Sequence, residues 1–220
     1  MNPPIAGIYP ILDAATLARV AIDPVAMAQS FHHLAIGCVQ LRCKESLDTY
    51  LRFAVPWMVT FRRHAPQVKI IINDHLTVAT TLDADGIHVG QEDQAVSLCR
   101  ATLGRDKWIG VSTHSVAEIQ RAQEEGADYV GFGPIFPTQS KADAHTVQGL
   151  DRLAKACASS RLPVVAIGGI ELSRLGEVAR HGAAAAAMIS TLLHPAWQDA
   201  LHQGCQIWRQ ARQNTLHPDG

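Results

Sequence analysis

The chain has 220 residues, 47% of them hydrophobic and 18% charged, with a formal net charge of −1. That size and balance suit one globular domain with an ample core. The near-zero charge excludes a nucleic-acid or anionic-membrane partner recruited by bulk electrostatics, so any phosphate site must draw on local cations.

At the start, Met1-Asn2-Pro3-Pro4 has no basic stretch followed by an apolar run, and no apolar run further on is long enough to span a bilayer. A cytoplasmic protein without a membrane partner is the expectation. From there, short apolar runs alternate with longer amphipathic stretches. The strand-like runs are Gly7–Asp13, Cys38–Arg42, Lys69–Asn73, Gly86–Val89, Trp108–Ser112, Tyr129–Gly133, Pro163–Gly168 and Ala184–Ile189. Continuous apolar runs of this length suit strands buried on both faces of a parallel sheet.

The stretches between them read as helices. Residues 46–64 predict a long helix that Pro56 should start or kink. Ser115 and Glu118 form a capping-box pattern, with Val116, Ile119 and Ala122 as the apolar stripe and Gly126 as the left-handed terminator. Leu175, Val178 and Ala179 make a second stripe closed by Gly182, and Trp197, Leu201 and Trp208 line a last helix. Repeated β-then-α units at this length predict a single (β/α)8 barrel over 1–220, with a doubly wound open sheet as the rival. The tail from about residue 213 is polar and should fray. The five cysteines are scattered without a C-x-x-C spacing and read as reduced thiols, and the eleven histidines show no H-E-x-x-H.

Barrel chemistry gathers at the C-terminal ends of the strands. Gln40-Leu41-Arg42-Cys43-Lys44 puts Gln40, Arg42 and Lys44 on one face if the extended form persists, and two cations there suit a diphosphate. Asn73-Asp74 ends the third strand, and Gln91-Glu92-Asp93 follows the fourth. Their carboxylates could share a hard cation, since neither Asp74 nor Asp93 has a cationic partner in its own segment. His88, inside a strand, reads as a hydrogen-bonded structural residue. Ser112-Thr113-His114 brings hydroxyls to the fifth strand end. The segment Pro134–Lys141, with Thr138, Gln139, Ser140 and Lys141, has the look of an anion-binding loop. Gly168-Gly169 after the seventh strand and Ile189-Ser190 after the eighth suit a phosphate held by backbone N–H groups.

Taken in order, GIYPILD (7–13), VQLRCK (39–44), IND (72–74), GIHVGQED (86–93), GVSTH (110–114), FPTQSK (136–141), VQGL (147–150) and AIGGI (166–170) resemble the thiamine phosphate synthase family over nearly the whole chain. The resemblance implies a transferase of thiamine biosynthesis that uses Mg2+ and two small-molecule substrates, and it leaves room for a homo-oligomer. A pyrimidine diphosphate would be held by Gln40, Leu41, Arg42, Cys43, Lys44, Asn73, Ser112 and Lys141. A thiazole phosphate would be held by Thr138, Gln139, Ser140, Gly169, Ile189 and Ser190. Mg2+ would sit on Asp74 and Asp93, with Arg42, Lys44, Lys141 and Ser112 carrying the catalysis. Ser140 stands where the family commonly has Thr, and keeps the hydroxyl. A thiazole phosphate tautomerase or a non-catalytic regulator on the same scaffold would not need Asp74, Asp93 and Lys141 together.

Overall fold

The computed structural model describes residues 5–138 and 146–216. Its strands are β1 (Gly7–Asp13), β2 (Cys38–Arg42), β3 (Lys69–Asn73), β4 (Gly86–Val89), β5 (Trp108–Thr113), β6 (Tyr129–Phe132), β7 (Val164–Ala166) and β8 (Ala185–Met188). Each pairs in parallel with its sequence neighbours, and β8 pairs back to β1, so the sheet closes into a barrel and leaves no edge. The open-sheet rival is thereby removed. The first four strands keep their expected bounds. Strand β7 stops at Ala166 because Gly168 and Gly169 turn into the left-handed region, at φ +97° and +62°.

The helices are α1 (Ala14–Leu17), α2 (Pro24–His33), α3 (Leu47–His64), α4 (Leu76–Thr81), α5 (Val96–Leu103), α6 (Val116–Glu124), α7 (Gly149–Ser159), α8 (Leu172–Arg180) and α9 (Trp197–Leu216). Helix α3 starts at the Ser46 cap and runs through Pro56, which neither begins nor ends it. Pro56 lies on the exposed face, where water can satisfy the carbonyl its ring leaves unbonded. Helix α9 continues to Leu216, into the segment expected to fray. The Ser115–Glu118 box forms with a shifted return bond. Glu118 N donates to Ser115 Oγ at 3.2 Å, but the Glu118 carboxylate accepts from His114 N, at 2.8 Å. The cap thus also fixes the last residue of the β5 loop.

Two apolar layers follow from strand alternation. Leu12, Val39, Leu41, Ile70 and Ile72 point outward onto the helices, against Phe31 and Phe61. Tyr9, Ile11, Cys38, Ile71, Trp108, Tyr129 and Val165 point inward and fill the lumen. At the N-terminal mouth, two aspartates clamp neighbouring strands. Asp85 accepts from Ile70 N (2.8 Å), Arg62 (2.8 Å) and Lys69 (3.1 Å). Asp128 accepts from Ile109 N (2.7 Å) and Arg100 (2.6 Å), whose other contacts are the carbonyls of Gly104, Lys107 and Gly126. The C-terminal mouth is left for the site.

Candidate active site at the C-terminal mouth

Gln40 and Arg42 alternate into the lumen as expected, whereas Leu41 and Cys43 are packed into the outer core, so these two offer a ligand only their backbone. Arg42 does not stand alone. In the β1–β2 register it lies opposite Asp13, and its Nη1 donates to the Asp13 carboxylate. Both side chains are nearly buried, at 13% and 8% exposure. Asp13 also caps α1, accepting from Thr16 N (2.9 Å) and Thr16 Oγ1 (2.8 Å). Burial raises its carboxyl, but the Thr16 donors and the Arg42 guanidinium outweigh this and hold it below the ordinary value. The test applied to the other strand ends, a polar residue closing an apolar run, would have found Asp13 as well.

Strand β2 ends at Arg42, so Lys44 reaches the mouth from the loop. Its Nζ donates to Asp74, which supplies across the strands the cationic partner that the Asp74 segment lacks. Asp74 sits at φ +61°, with its N–H bonded to His88 O at 2.7 Å, and this fixes the direction of its side chain. Asp93 Oδ2 accepts from Gly90 N at 2.7 Å. Burial pushes the Asp93 carboxyl up; the Gly90 N–H lowers it, and the Asp74 carboxylate raises it again by repulsion. Two carboxylates pressed together at an open mouth are a donor set suited to a small hard cation that completes its shell with phosphate and water. Among the described residues no group of three or more His, Cys, Asp or Glu is placed to hold a metal ion by itself.

Behind this rim, Asn73, Gln40, His88 and Ser112 surround a small cavity of about 20 Å³ in the upper lumen. Asn73 is 7% exposed, and its Nδ2 is a buried donor without a partner. Such an atom costs stability unless a ligand takes its hydrogen bond. The Tyr50 hydroxyl, from α3, holds the backbone there by accepting from Asn73 N (3.0 Å) and donating to Leu41 O (2.5 Å). His88 is hydrogen-bonded through both ring nitrogens, as its place inside a strand suggests. Ser112 Oγ lies 2.9 Å from His88 Nε2, and Ser112 O accepts from Gln91 at 2.6 Å.

A larger cavity of about 390 Å³ adjoins this one and shares Ser112, Gly131, Ile167, Ala187 and Ile189 with it. Thr138, Gly168, Gly169 and Ser190 line its far side. The chain after β6 continues along β7, with Ile135 N on Ile167 O (2.9 Å) and Phe136 N on Gly168 O (3.0 Å). A Cβ on Gly169 would strike the Pro137 carbonyl and stand 2.9 Å from Phe136 Cβ. Gly169 therefore serves the packing of that loop as well as open access to its own N–H. Gln139, Ser140 and Lys141 lie outside the described residues.

The sequence profile of the thiamine monophosphate synthase family matches residues 8–192. A thiamine-phosphate synthase of Lactococcus lactis is 46% identical over 125 residues, 57% of this chain and 58% of that protein. Another, from a Synechococcus strain, is 40% identical over 158 residues, 72% of this chain and 44% of that protein. The matches thus span about half the length of these curated relatives. Among solved structures, a thiamine phosphate pyrophosphorylase from Pyrococcus furiosus superposes with a TM-score of 0.78 at 27% identity, covering 93% of this chain and 96% of that one. With the profile covering most of the barrel, the chain belongs to the thiamine monophosphate synthase family.

Proposed function

We propose that this barrel is a thiamine phosphate synthase. It joins an aminopyrimidine methyl diphosphate to a thiazole phosphate, or the carboxylated form of that thiazole, and releases pyrophosphate. The observation that carries the reading is the pair of adjoining cavities. The smaller gathers Gln40, Arg42, Asn73, His88 and Ser112, with Asn73 Nδ2 unpartnered, and the Lys44–Asp74 pair and Asp93 belong to the strand ends beside it. The other has mostly apolar walls and ends at Gly169 and Ser190. The larger cavity has room for two rings to meet beside Ser112, with their phosphates at opposite sides.

In this reading the diphosphate lies against Arg42, Lys44 and Lys141. Lys44 is 58% exposed on a flexible stem, so it can leave Asp74 for a phosphate oxygen. Arg42 stays tethered to Asp13 and offers its remaining donors. Asp74 and Asp93 would hold Mg2+, which supplies positive charge against the leaving pyrophosphate. The thiazole nitrogen carries its lone pair as an unprotonated aromatic nitrogen, so the attack needs no general base. The electron-rich pyrimidine can support positive charge on its methylene carbon as the C–O bond breaks, and the cations stabilise the charge that builds on the departing group. Thr138, Gln139, Ser140, Gly169, Ile189 and Ser190 hold the thiazole phosphate.

Five free cysteines and no described helix long and apolar enough to cross a membrane are consistent with a cytoplasmic place for this chemistry. Mixing both substrates with Mg2+ and following pyrophosphate tests the reading. Thiamine phosphate and pyrophosphate in equal amounts are expected. Conversion of the thiazole phosphate alone, without pyrophosphate, would make the chain a tautomerase instead.

A further inference from the structure

Beneath the two cavities, five polar side chains from five strands form an unbroken line across the lumen. Gln40 Nε2 donates to the Tyr9 hydroxyl at 3.2 Å, and the Tyr9 and Tyr129 hydroxyls lie 2.8 Å apart. Tyr129 meets His88 Nδ1 at 3.0 Å, and His88 Nε2 meets Ser112 Oγ at 2.9 Å. Each phenol is 1% exposed. Packing alone does not call for these groups, because Phe would fill nearly the same volume without burying a hydroxyl. Space is also reserved for them. A Cβ on Gly110 would stand 2.5 Å from both His88 Nδ1 and the Tyr129 hydroxyl.

The line has a direction. Burial pushes both phenols far above their ordinary range, so each keeps its proton. Gln40 donates into the Tyr9 oxygen, which leaves Tyr9 to donate to Tyr129, its other partner among the described residues. Tyr129 then donates to His88 Nδ1. The His88 proton sits on Nε2 and points at Ser112 Oγ, and the Ser112 proton is turned toward the cavity. With Gln40 Nε2 on the Tyr9 oxygen, running the line the other way would strand the buried Tyr9 proton, which costs more than the lost bond is worth. At the opposite end, Gln40 is left with Oε1 as an acceptor.

We propose that Tyr9, Tyr129 and His88 are positioning residues that fix Ser112 as a donor and Gln40 as an acceptor, and so select an aminopyrimidine over its oxo analogue. This rests on the functional reading above. An exocyclic amine offers protons to Gln40 Oε1, and the ring nitrogens offer lone pairs to Ser112 and to the unpartnered Asn73 Nδ2. An oxo analogue presents a carbonyl to Gln40 Oε1 and a ring N–H to a donor. A site whose buried polar groups are left unpaired by the wrong ligand rejects it by on the order of 10²-fold or more.

The test uses Tyr129→Phe and Tyr9→Phe, with Cys38→Ala as a lumen substitution outside the line. Turnover of the amino and oxo pyrimidine diphosphates is compared in variants shown by melting to be folded. Both Phe variants should lose at least about tenfold in discrimination, mainly through KM of the amino substrate, while Cys38→Ala keeps it. Nitrogen NMR of the unliganded protein, with His88 assigned by its loss in His88→Asn, should find Nε2 protonated and Nδ1 bare, and a mixture of tautomers in Tyr129→Phe. Full discrimination in a folded Tyr129→Phe, or a proton on His88 Nδ1 in the wild type, would overturn the proposal. A wild type inert toward the amino substrate would instead sink the functional reading and the selectivity drawn from it. The tautomer measurement decides the hydrogen-bond line whatever the substrate, or if a Phe variant fails to fold.

Discussion

Asp13 joins a helix cap to a cation at the C-terminal mouth, and the two contributions can be separated by substitution. Asp13→Ala removes the bonds to Thr16 N and Oγ1 and the ion pair with Arg42. Loss of an N-cap costs about 1 kcal/mol. Breaking a fully buried ion pair costs roughly 3–5 kcal/mol, but this one lies at a solvated mouth, so about 2 kcal/mol is the fitting figure. The sum, about 3 kcal/mol, corresponds to a melting temperature roughly 6–12 °C lower for a chain of this size. Asn caps as well as Asp does, so Asp13→Asn should lose only the ion pair and melt roughly 4–8 °C below the wild type. Since folding depresses the Asp13 carboxyl below its ordinary 3.8, the stabilisation is present above that value and lost as pH falls through the lower folded one. The gap between wild type and Asp13→Asn should therefore close on acidification below about pH 3.8. Thermal unfolding followed by circular dichroism at neutral and acid pH measures all three quantities. With Arg42 untethered, the pyrimidine KM should rise and the thiazole KM stay. Variants that melt with the wild type, or a gap that persists in acid, would refute the reasoning.

Asp93→Asn should lower kcat/KM by about 10²-fold, with partial recovery at high Mg2+. The double variant with Asp74→Asn should lose far less than the product of the single losses, as steady-state kinetics across a Mg2+ series would show. If Ser190 bonds the thiazole phosphate as proposed, Ser190→Ala removes a contact worth about 1.5–3 kcal/mol, so the thiazole KM should rise roughly 10–100-fold and the pyrimidine KM stay. Gly169→Val is a less clean probe of that phosphate, because its side chain meets Pro137 and Phe136 first; disturbance of both substrates and of stability is expected. Lys141→Ala should lower kcat by about 10²–10³ with folding unchanged, and normal kcat would make Lys141 a surface residue.

Strand positions were legible because a barrel strand is buried on both faces and reads as a continuous apolar run; β1 to β4 fall on the runs read from the sequence. Polar residues closing those runs marked most of the mouth. Side-chain direction was legible only in part. Alternation placed Gln40 and Arg42 inward, but the strand stops before Lys44, which arrives from a loop. Contacts that depend on closure were not legible. Tyr9 and Tyr129 are 120 residues apart, and nothing local couples them until β1 and β6 face each other across the lumen. The pairing of Asp13 with Arg42 needs the β1–β2 register, and that of Lys44 with Asp74 needs both strand ends. Of the two roles Pro56 offered, starting the helix is excluded, because Ser46 supplies the cap ten residues earlier and water can reach the carbonyl that the ring leaves unbonded.

The clamps made by Asp85 and Asp128 sit at the mouth opposite the two cavities, and this divides the ways in which a mutation can do harm. A change at either aspartate unpins neighbouring strands at the N-terminal end while the site residues keep their places. In a growing cell that is a defect of quantity: more chains are caught unfolded and degraded, and each survivor works at full speed. On the proposed function, a change at Ser112 or Asn73 is a defect of quality, with a full complement of slow molecules. The first kind should yield to overexpression, to lower growth temperature or to a stabilising substitution elsewhere in the barrel. The second should resist all three.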